Sequence, residues 1–291
     1  MAVAGAPKNW GHEADVIIVG AGTAGLPAAI TVAEAQLRAT ILEVRSACGG
    51  SLNMVSGAMS IAGSDEQKEA GIEDSPELLY QDLLDVCGAD PEIARAYVDN
   101  QLDAYKMLKQ AGIKFPGILK QPGHSRDRGL GWLKGVGPKM VKALERGARD
   151  RGVEILLRHR ATRLITDSQT GRVIGLKVDV RDETKNFKAR RAVVIATGGF
   201  GRNREMVAEF APEMVNAVPK MPMGHQGDGL KMGLAVGAAT KDIGIAVTPC
   251  WPICIEKHSS ALGIIRLGGI AVNVNGKRFH NESSPEYHHE S

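Results

Sequence analysis

The chain has 291 residues, of which 43% are hydrophobic and 24% charged, so it is long enough to bury one large core or two smaller ones. Its 36 basic and 33 acidic side chains leave a net charge of +3 without long runs of like charge, which is not the pattern of a nucleic-acid-binding protein. No stretch approaches the roughly 18 consecutive apolar residues of a membrane span, and we expect none.

The N-terminal segment and the cysteines predict the compartment. Residues 1–14 are polar and lack the apolar core of a secretory signal. The four cysteines are sparse and irregularly spaced, which is typical of reduced thiols. We therefore expect a cytoplasmic protein. Cys250, Cys254 and His258 follow at intervals of four residues but have no fourth partner, so we interpret them as ordinary residues near a turn and expect no metal site.

The first predicted element is a strand that runs into a glycine-rich turn. The apolar run Val16–Val19 is followed by Gly20, Gly22 and Gly25 in the spacing of a dinucleotide-binding turn. Gly20 permits the tight turn, Gly22 lets the backbone approach a pyrophosphate, and Gly25 lets the following helix lie close to the sheet.

A helix and a second strand complete this unit. Ala24–Leu37 is rich in alanine and predicts a helix whose first N–H groups and positive dipole end face the pyrophosphate. The strand Ala39–Glu43 ends in a carboxylate, placed to accept hydrogen bonds from an adenosine ribose. These features predict a dinucleotide site, for NAD or for FAD, with a purely structural turn as the alternative.

Small residues and helices occupy the next part of the chain. Gly49–Ser51 and Ser56–Met59 form either a segment that presses against a flat ligand or a surface loop. One helix begins at Ser75 and Pro76 and stops before Gly88. A second helix covers Pro91–Ala111, and we expect its apolar face to be core. That face comprises Ile93, Tyr97, Val98, Leu102, Tyr105 and Leu108.

The second half of the chain predicts one more βα unit and a β-meander. The basic, glycine-rich stretch Gly117–Gly137 is either a loop bordering a site or a solvated surface loop. The elements predicted after it are helix Pro138–Arg151, strand Val153–Leu157, and the antiparallel strands Ala161–Thr166, Arg172–Val180 and Phe187–Ile195. Val193–Ile195 reads as a buried strand that runs into further glycines. A helix over Leu230–Gly237 and a strand and turn over Gly268–Phe279 follow.

Five motifs occur in the order in which one flavoprotein family carries them. They are Gly20–Gly25 with Glu43, Gly49–Ser51, Ala196–Phe200, Gly227–Gly229 and Gly276–Glu282. Over nearly its whole length, the chain therefore resembles the family that includes soluble fumarate reductases, succinate dehydrogenase flavoprotein subunits and 3-ketosteroid dehydrogenases. Asp74–Leu78, with Gly57–Ser60 ahead of it, is most similar to the soluble fumarate reductase branch.

The resemblance implies an α/β fold and FAD as the cofactor. A Rossmann-like FAD-binding domain, with a parallel sheet plus an antiparallel β-meander, would cover residues 1–240. The start of an α+β capping domain that closes over substrate would occupy residues 241–291. NAD is disfavoured because it would leave the later glycine segments without a role.

The resemblance also implies which residues bind FAD. The ADP half would lie on the first glycine turn, the adenine against the backbone near Ala161, and the isoalloxazine near Ser51, Ser56 and Gly57. The full set is Gly20, Ala21, Gly22, Ala24, Gly25, Glu43, Val44, Arg45, Gly49, Gly50, Ser51, Ser56, Gly57, Ala161, Ala196, Thr197, Gly198, Gly199 and Asp228.

The implied activity is hydride transfer between the flavin N5 and a C–C bond beside a carbonyl or carboxylate of a small-molecule substrate. The electron donor or acceptor is not identified. Glu282 is either a proton relay or a surface acid after a turn. Tyr287 is a second catalytic candidate, one residue displaced from the tyrosine of ketosteroid dehydrogenases. For Arg266, pairing with a neighbouring carboxylate is favoured over pairing with substrate.

The chain departs from the family at four points. No histidine lies between Val44 and Ala58, so we expect non-covalent FAD. No arginine follows Asn281-Glu282, and no substrate-binding histidine precedes Gly268–Phe279. We therefore do not expect a C4 dicarboxylate substrate. Family members also continue well past this segment, so one alternative is a non-catalytic or truncated flavin-binding fragment. The second alternative is an NAD-dependent dehydrogenase, because the first glycine turn could bind either dinucleotide.

Overall fold

The computed structural model describes residues 7–55, 58–86, 88–119, 124–130, 136–216, 219, 221–243, 270, 272–273 and 275–278. The strands are β1 (His12–Val19), β2 (Ala39–Glu43), β3 (Met59–Ser60), β4 (Ile118–Leu119), β5 (Gly129–Leu130), β6 (Glu154–Leu157), β7 (His159–Thr166), β8 (Val173–Val180) and β9 (Glu183–Ile195). The helices are α1 (Gly25–Glu34), α2 (Asp65–Glu69), α3 (Pro76–Asp85), α4 (Pro91–Gln110), α5 (Val136–Asp150), α6 (Arg204–Phe210) and α7 (Asp228–Leu234). Two 3-10 helices cover Gly50–Met54 and Pro212–Met214.

A six-stranded mixed sheet organises these elements. Its strand order is β6-β2-β1-β9-β8-β7. The pairs β6–β2, β2–β1 and β1–β9 are parallel, whereas β9–β8 and β8–β7 are antiparallel. The predicted α/β fold, with a parallel sheet plus an antiparallel meander, is confirmed. Because β6, β2, β1 and β9 run in one direction, their carboxyl ends meet at one edge of the sheet.

Apolar side chains from the parallel strands pack on both faces of the sheet. Ile18 of β1 and Ile41 of β2 point to the face covered by α1 and α5, where they join Leu26, Ile30 and Leu144 in the larger core cluster. Their chain neighbours point the other way, because side chains alternate along a strand. The second core cluster lies on that opposite face and includes Ile17, Val19, Leu42, Leu176 and Phe187.

The predicted N-cap of α3 is confirmed, but one apolar residue of α3 and two of α4 lie outside the core. The Ser75 Oγ accepts the Leu78 N–H at 3.2 Å and begins α3 as predicted. The prediction that Ile93 and Tyr97 belong to the core is wrong, because their exposed fractions are 65% and 40%, and Leu78 is 39% exposed. In α4 the inward positions are Ala94, Val98, Gln101, Tyr105 and Leu108. At about 100° per residue, Ile93 lies about 100° and Tyr97 about 60° from the centre of that face.

Backbone conformation explains the shifted ends of three elements. Helix α1 stops at Glu34 rather than Leu37 because Gln36 takes a left-handed conformation, with φ of +59°. Strand β9 begins at Glu183 because Arg181, with φ of +54°, turns the chain directly after β8. Helix α7 starts two residues before the predicted Leu230, since Gly227 at φ of +74° is its N-cap.

The end of β9 is less buried than predicted. Val193 and Val194 are half-buried and Ile195 is 41% exposed. The β8 pairing ends at Lys188, so from Ala189 onward the described partner of β9 is β1 alone. Within the described residues, no strand pairs with the second edge of this segment, where the Arg172 side chain donates to the Arg190 and Arg191 carbonyls at 3.1 and 2.9 Å. The strand therefore meets the following glycines at the sheet margin instead of inside the core.

A buried arginine fixes the short sheet β3-β5-β4 against helix α3. Arg128 is fully buried, with its Nη2 2.8 Å from the Asp74 Oδ1 and its Nη1 bound to the Asp82 carboxylate. Burial opposes ionisation of all three groups, but their mutual hydrogen bonds outweigh it: the pKa of Arg128 is raised and the pKa values of Asp74 and Asp82 are lowered. One basic residue of the stretch Gly117–Gly137, Arg128, is therefore buried in the protein and holds two of its elements together, instead of lying in a solvated surface loop.

Candidate cofactor site

The first glycine turn lies where the ends of three strands approach each other. The Gly20 N–H donates to the Leu42 carbonyl at 2.7 Å, and the Ala196 N–H donates to the Val19 carbonyl at 2.8 Å. An ideal Cβ on Gly20 would stand 2.8 Å from the carbonyl carbon of Ala196, and the φ of Gly20 is +110°. Only glycine fits here, because the chain after β9 presses directly on the turn.

Gly25 and Gly22 have different surroundings in the same turn. An ideal Cβ on Gly25 would lie 3.0 Å from the Gly20 carbonyl carbon and 3.2 Å from the Ile18 Cγ2, and it would overlap the Gly20 oxygen. Gly25 therefore permits α1 to lie against β1. An ideal Cβ on Gly22 would meet no atom of the described residues within 4 Å. The surface above Gly22 is open to a ligand.

Helix α1 begins at this open surface without a side-chain cap. Its N-cap residue is Ala24, which makes no side-chain cap hydrogen bond. In the first turn the Leu26 N–H donates to the Gly22 carbonyl at 3.2 Å, and Pro27 has no N–H. The first backbone N–H groups of a helix have no partner inside the helix, and they carry the positive end of its dipole. This end fits an anionic group such as a pyrophosphate.

Glu43 ends β2 beside the turn and is held by two backbone donors. Its Oε2 accepts the Ala21 N–H at 2.9 Å and its Oε1 accepts the Arg45 N–H at 2.8 Å. The side chain is 7% exposed. Since each carboxylate oxygen has two lone pairs, both can still accept hydroxyl groups. Val44 and Arg45 follow at the exposed edge.

The second glycine segment packs against the first. The Gly49 N–H donates to the Ala21 carbonyl at 2.7 Å, and an ideal Cβ on Gly50 would lie 3.7 Å from the Gly22 Cα. The φ values of Gly49 and Gly50 are +123° and +48°, which favour glycine at both positions. Ser51 follows in the short 3-10 helix, next to the open surface of the first turn.

The third glycine segment carries a histidine neighbour that the sequence analysis missed. His225 packs on Gly198, where an ideal Cβ would stand 2.5 Å from its Nε2. The same nitrogen is 3.3 Å from the Ser51 Oγ. Burial lowers the pKa of His225. Its place two residues before Gly227-Asp228-Gly229 was the one available signal in the sequence.

Ala161 and Asp228 lie together at the start of β7 and α7. Ala161 is buried, with 4% of its surface exposed. Its neighbour Arg160 donates two hydrogen bonds to the Asp228 carboxylate, at 3.0 and 2.9 Å, and these bonds raise the pKa of Arg160. The Asp228 side chain is therefore committed to an ion pair, and a ligand contact there would use the backbone or the remaining lone pairs.

The structure thus brings together Gly20, Ala21, Gly22, Ala24, Gly25, Glu43, Gly49, Gly50, Ser51, Ala196 and Gly198 at one edge of the sheet. Their binding of a cofactor stays a prediction. Four predicted site residues, Ser56, Gly57, Glu282 and Tyr287, lie outside the described residues. So do Arg266 and the triplet Cys250, Cys254 and His258.

The part of the chain that the structure describes contains neither a metal-binding cluster nor a membrane-spanning helix. In that part, no cluster of three or more His, Cys, Asp or Glu side chains could hold a metal ion. None of its helices combines the length and apolar character needed to cross a membrane.

The fold and the site together define a dinucleotide-binding α/β protein. Comparison with known sequences makes this specific: the FAD binding domain family matches residues 15–290, and the chain belongs to that family. The predicted resemblance to flavoproteins is confirmed.

Individual relatives agree with this assignment. The chain is 33% identical to a urocanate reductase of Eggerthella lenta over 298 residues, covering 97% of this chain and 48% of the relative. It is 33% identical to an NADH:fumarate oxidoreductase of Klebsiella pneumoniae, covering 95% of this chain and 30% of the relative. A 3-ketosteroid-Δ4-(5α)-dehydrogenase structure from Rhodococcus jostii RHA1 superposes with a TM-score of 0.82 at 27% identity, covering 97% of this chain and 64% of that one. The chain spans half or less of those two curated relatives.

Proposed function

We propose that this chain is the FAD-binding part of an oxidoreductase that transfers a hydride between the flavin N5 and a C–C bond beside a carbonyl or carboxylate. The observation that carries the proposal is the meeting of three glycine segments, after β1, β2 and β9, at the carboxyl edge of the parallel strands. Ligands of open α/β sheets bind in a crevice at this edge. Membership of the FAD binding domain family favours FAD over NAD.

Each part of the site has a distinct task in holding the dinucleotide. The open Cα of Gly22 and the uncapped start of α1 receive the pyrophosphate. Glu43 accepts the ribose hydroxyls, and its orientation is fixed in advance by the Ala21 and Arg45 N–H groups. Ser51 is a hydroxyl donor beside the first turn. Such pre-positioned groups lower the ordering cost of binding.

When bound, FAD supplies the hydride chemistry, and the protein supplies binding, orientation and exclusion of water. Glu282 and Tyr287 remain the candidates for moving the proton. The substrates named for the relatives, fumarate, urocanate and a ketosteroid, share a carbon–carbon bond conjugated to a carbonyl or carboxylate. We extend only this common feature to the present chain, with a small molecule as substrate.

We further propose that the FAD is non-covalent, because no histidine lies between Val44 and Ala58 to form a link to the flavin. Denaturation of a yellow preparation then releases the flavin into solution. A yellow colour that stays with the precipitated protein would contradict this part of the proposal. The cytoplasmic location stays a prediction, and fractionation of the source cells tests it.

The cofactor assignment is tested by colour and titration. The purified chain should be yellow, or become yellow with FAD, with an absorbance maximum at about 450 nm that belongs to the flavin. Thermal unfolding should shift upward with FAD because the ligand binds the native state. A colourless protein whose unfolding temperature rises with NAD and not with FAD would refute the proposal.

A non-catalytic flavin-binding fragment is the second candidate. It is favoured by coverage of only 30% and 48% of the two curated relatives. Turnover separates the two candidates: reduced-dye assays with fumarate, urocanate and 3-ketosteroids are run on this chain and on a version lengthened by any coding sequence that follows Ser291. Activity in the longer version alone identifies this chain as the binding part of a larger enzyme.

A further inference from the structure

A histidine outside every recognised glycine motif lies within the proposed FAD site. His225 belongs to the loop between α6 and α7, and its main chain is fixed on two sides. Its N–H donates to the Pro222 carbonyl at 3.0 Å, and its carbonyl accepts the Arg202 N–H at 2.9 Å. An ideal Cβ on the preceding Gly224 would lie 3.4 Å from the Val44 Cγ1, so this loop reaches from the end of β9 to the end of β2.

The imidazole of His225 lies between two of the three glycine segments. Its Nε2 is 3.3 Å from the Ser51 Oγ. An ideal Cβ on Gly198 would stand 2.5 Å from the Nε2 and 3.0 Å from both the Cδ2 and the Cε1, and one on Gly199 would stand 4.0 Å from the Nδ1. The glycines at these positions make room for the ring.

The hydrogen-bonding capacity of this ring exceeds what the protein uses. Among the described residues, the Ser51 hydroxyl is the one side-chain partner of the imidazole, at Nε2. A neutral imidazole offers one N–H donor and one acceptor, and a half-buried polar group of this kind requires a partner. Burial lowers the pKa of His225, so the ring is neutral at pH 7. It can donate a hydrogen bond without bringing a charge into the pocket.

We propose that His225 is a cofactor-contacting residue, whose imidazole, together with Ser51, joins the second and third glycine segments and hydrogen-bonds to the FAD that they hold. The inference rests on the proposed function. It adds to the site a side chain that is not part of any glycine turn. It also assigns a role to the loop between α6 and α7, which contacts the ends of β9 and β2.

The test is FAD affinity of the apoprotein, followed by quenching of flavin fluorescence. His225→Ala should raise the Kd about ten- to hundredfold, as expected for loss of a hydrogen bond to a charged or strongly polar group. His225→Gln places an amide N–H near the position of the Nε2 and should restore most of the affinity. Gln226→Ala is the matched control, since this neighbouring side chain is half-buried like His225 but donates to the Met223 carbonyl at 3.1 Å. It should bind FAD as the wild type does.

Two readouts separate contact from folding. Unfolding of the FAD-free proteins should give similar midpoints for wild type, His225→Ala and His225→Gln. In a double-mutant cycle, Ser51→Ala and His225→Ala should be non-additive in their effects on Kd, because side chains that share a ligand couple energetically.

Each outcome decides between the explanations. Wild-type affinity in His225→Ala overturns the contact while leaving the proposed function intact. Equal loss in the Ala and Gln variants also overturns it, because a donor near the Nε2 position then restores nothing. Additive effects with Ser51→Ala overturn it as well, because the two side chains then do not share a ligand. Failure of the wild-type chain itself to bind FAD refutes the proposed function and this inference together, and the wild-type titration distinguishes that case.

Discussion

Replacing Gly22 and Gly25 separately with alanine tests whether the first glycine turn binds a dinucleotide or merely joins a strand to a helix. The two positions lie three residues apart in one turn but have opposite surroundings. In the part of the chain that the structure describes, a methyl group on Gly22 meets nothing within 4 Å. A methyl group on Gly25 would lie 3.2 Å from the Ile18 Cγ2 and would overlap the Gly20 carbonyl, because α1 packs there on β1.

The structure sets the expected size of each effect. Gly25→Ala forces α1 away from the sheet and should lower the free energy of unfolding by about 1–3 kcal/mol or more, as overpacking does. Gly22 is not in the left-handed region, so Gly22→Ala should leave stability unchanged or raise it by up to about 1 kcal/mol. Its methyl group projects where the pyrophosphate approaches, and we expect FAD affinity to fall by at least about tenfold, or 1.4 kcal/mol.

Urea unfolding without ligand and FAD titration by fluorescence measure the two quantities on the same preparations. The wild type and Gly22→Ala should share an unfolding midpoint and differ in Kd. If Gly22→Ala binds FAD as tightly as the wild type does, the pyrophosphate does not lie over this turn. If Gly25→Ala is as stable as the wild type, the close packing of α1 on β1 is wrong.

Three further predictions concern charged groups. Arg128→Leu should cost about 3–5 kcal/mol of unfolding free energy at pH 7, because it leaves two carboxylates without their buried cation. Those carboxylates have lowered pKa values, so their stabilisation is complete above about pH 4 and is lost at lower pH; the variant's deficit, measured by urea unfolding, should shrink there. Glu43→Gln should lower the free energy of unfolding by about 1–3 kcal/mol, because the NH2 group of the new side chain would face a backbone N–H that now has an acceptor. It should also weaken FAD binding in titrations. Asp228→Asn should change the free energy of unfolding by at most about 1 kcal/mol, because its arginine partner is half exposed. Equal costs for Arg128→Leu and Asp228→Asn at pH 7 would refute this ranking.

The βαβ unit could be predicted because its signals are local. One short stretch of chain contains an apolar run, three glycines at fixed spacing and an acid at the end of the next strand. The structure has β1, α1 and β2 in this stretch, as predicted. The parallel pairing of β1 with β9 could not be predicted from the sequence, because it joins residues as distant as Val19 and Ile195. Hydrophobic burial is not directional, so many other strand pairings would bury the same apolar side chains.

Side-chain environments were predicted less well than elements. Helical periodicity located α4, but a shift of one residue in the buried face separates Val98 from the exposed Tyr97. The ion pair between Arg160 and Asp228 and the position of His225 depend on contacts between distant segments. Both lie in or beside the Gly227–Gly229 motif, but the motif does not say which distant side chain each of them contacts.

The glycine segments divide into two groups by the space around each Cα. Gly20, Gly25 and Gly198 are required by protein contacts, since a side chain there would strike backbone or the His225 ring. At Gly22, no described residue lies within 4 Å of an added Cβ, so packing among those residues does not require glycine there, whereas the proposed approach of the pyrophosphate does. A purely structural turn would need the first group alone. The open Cα beside an uncapped helix start is therefore the feature that a structural turn does not explain and a bound dinucleotide does.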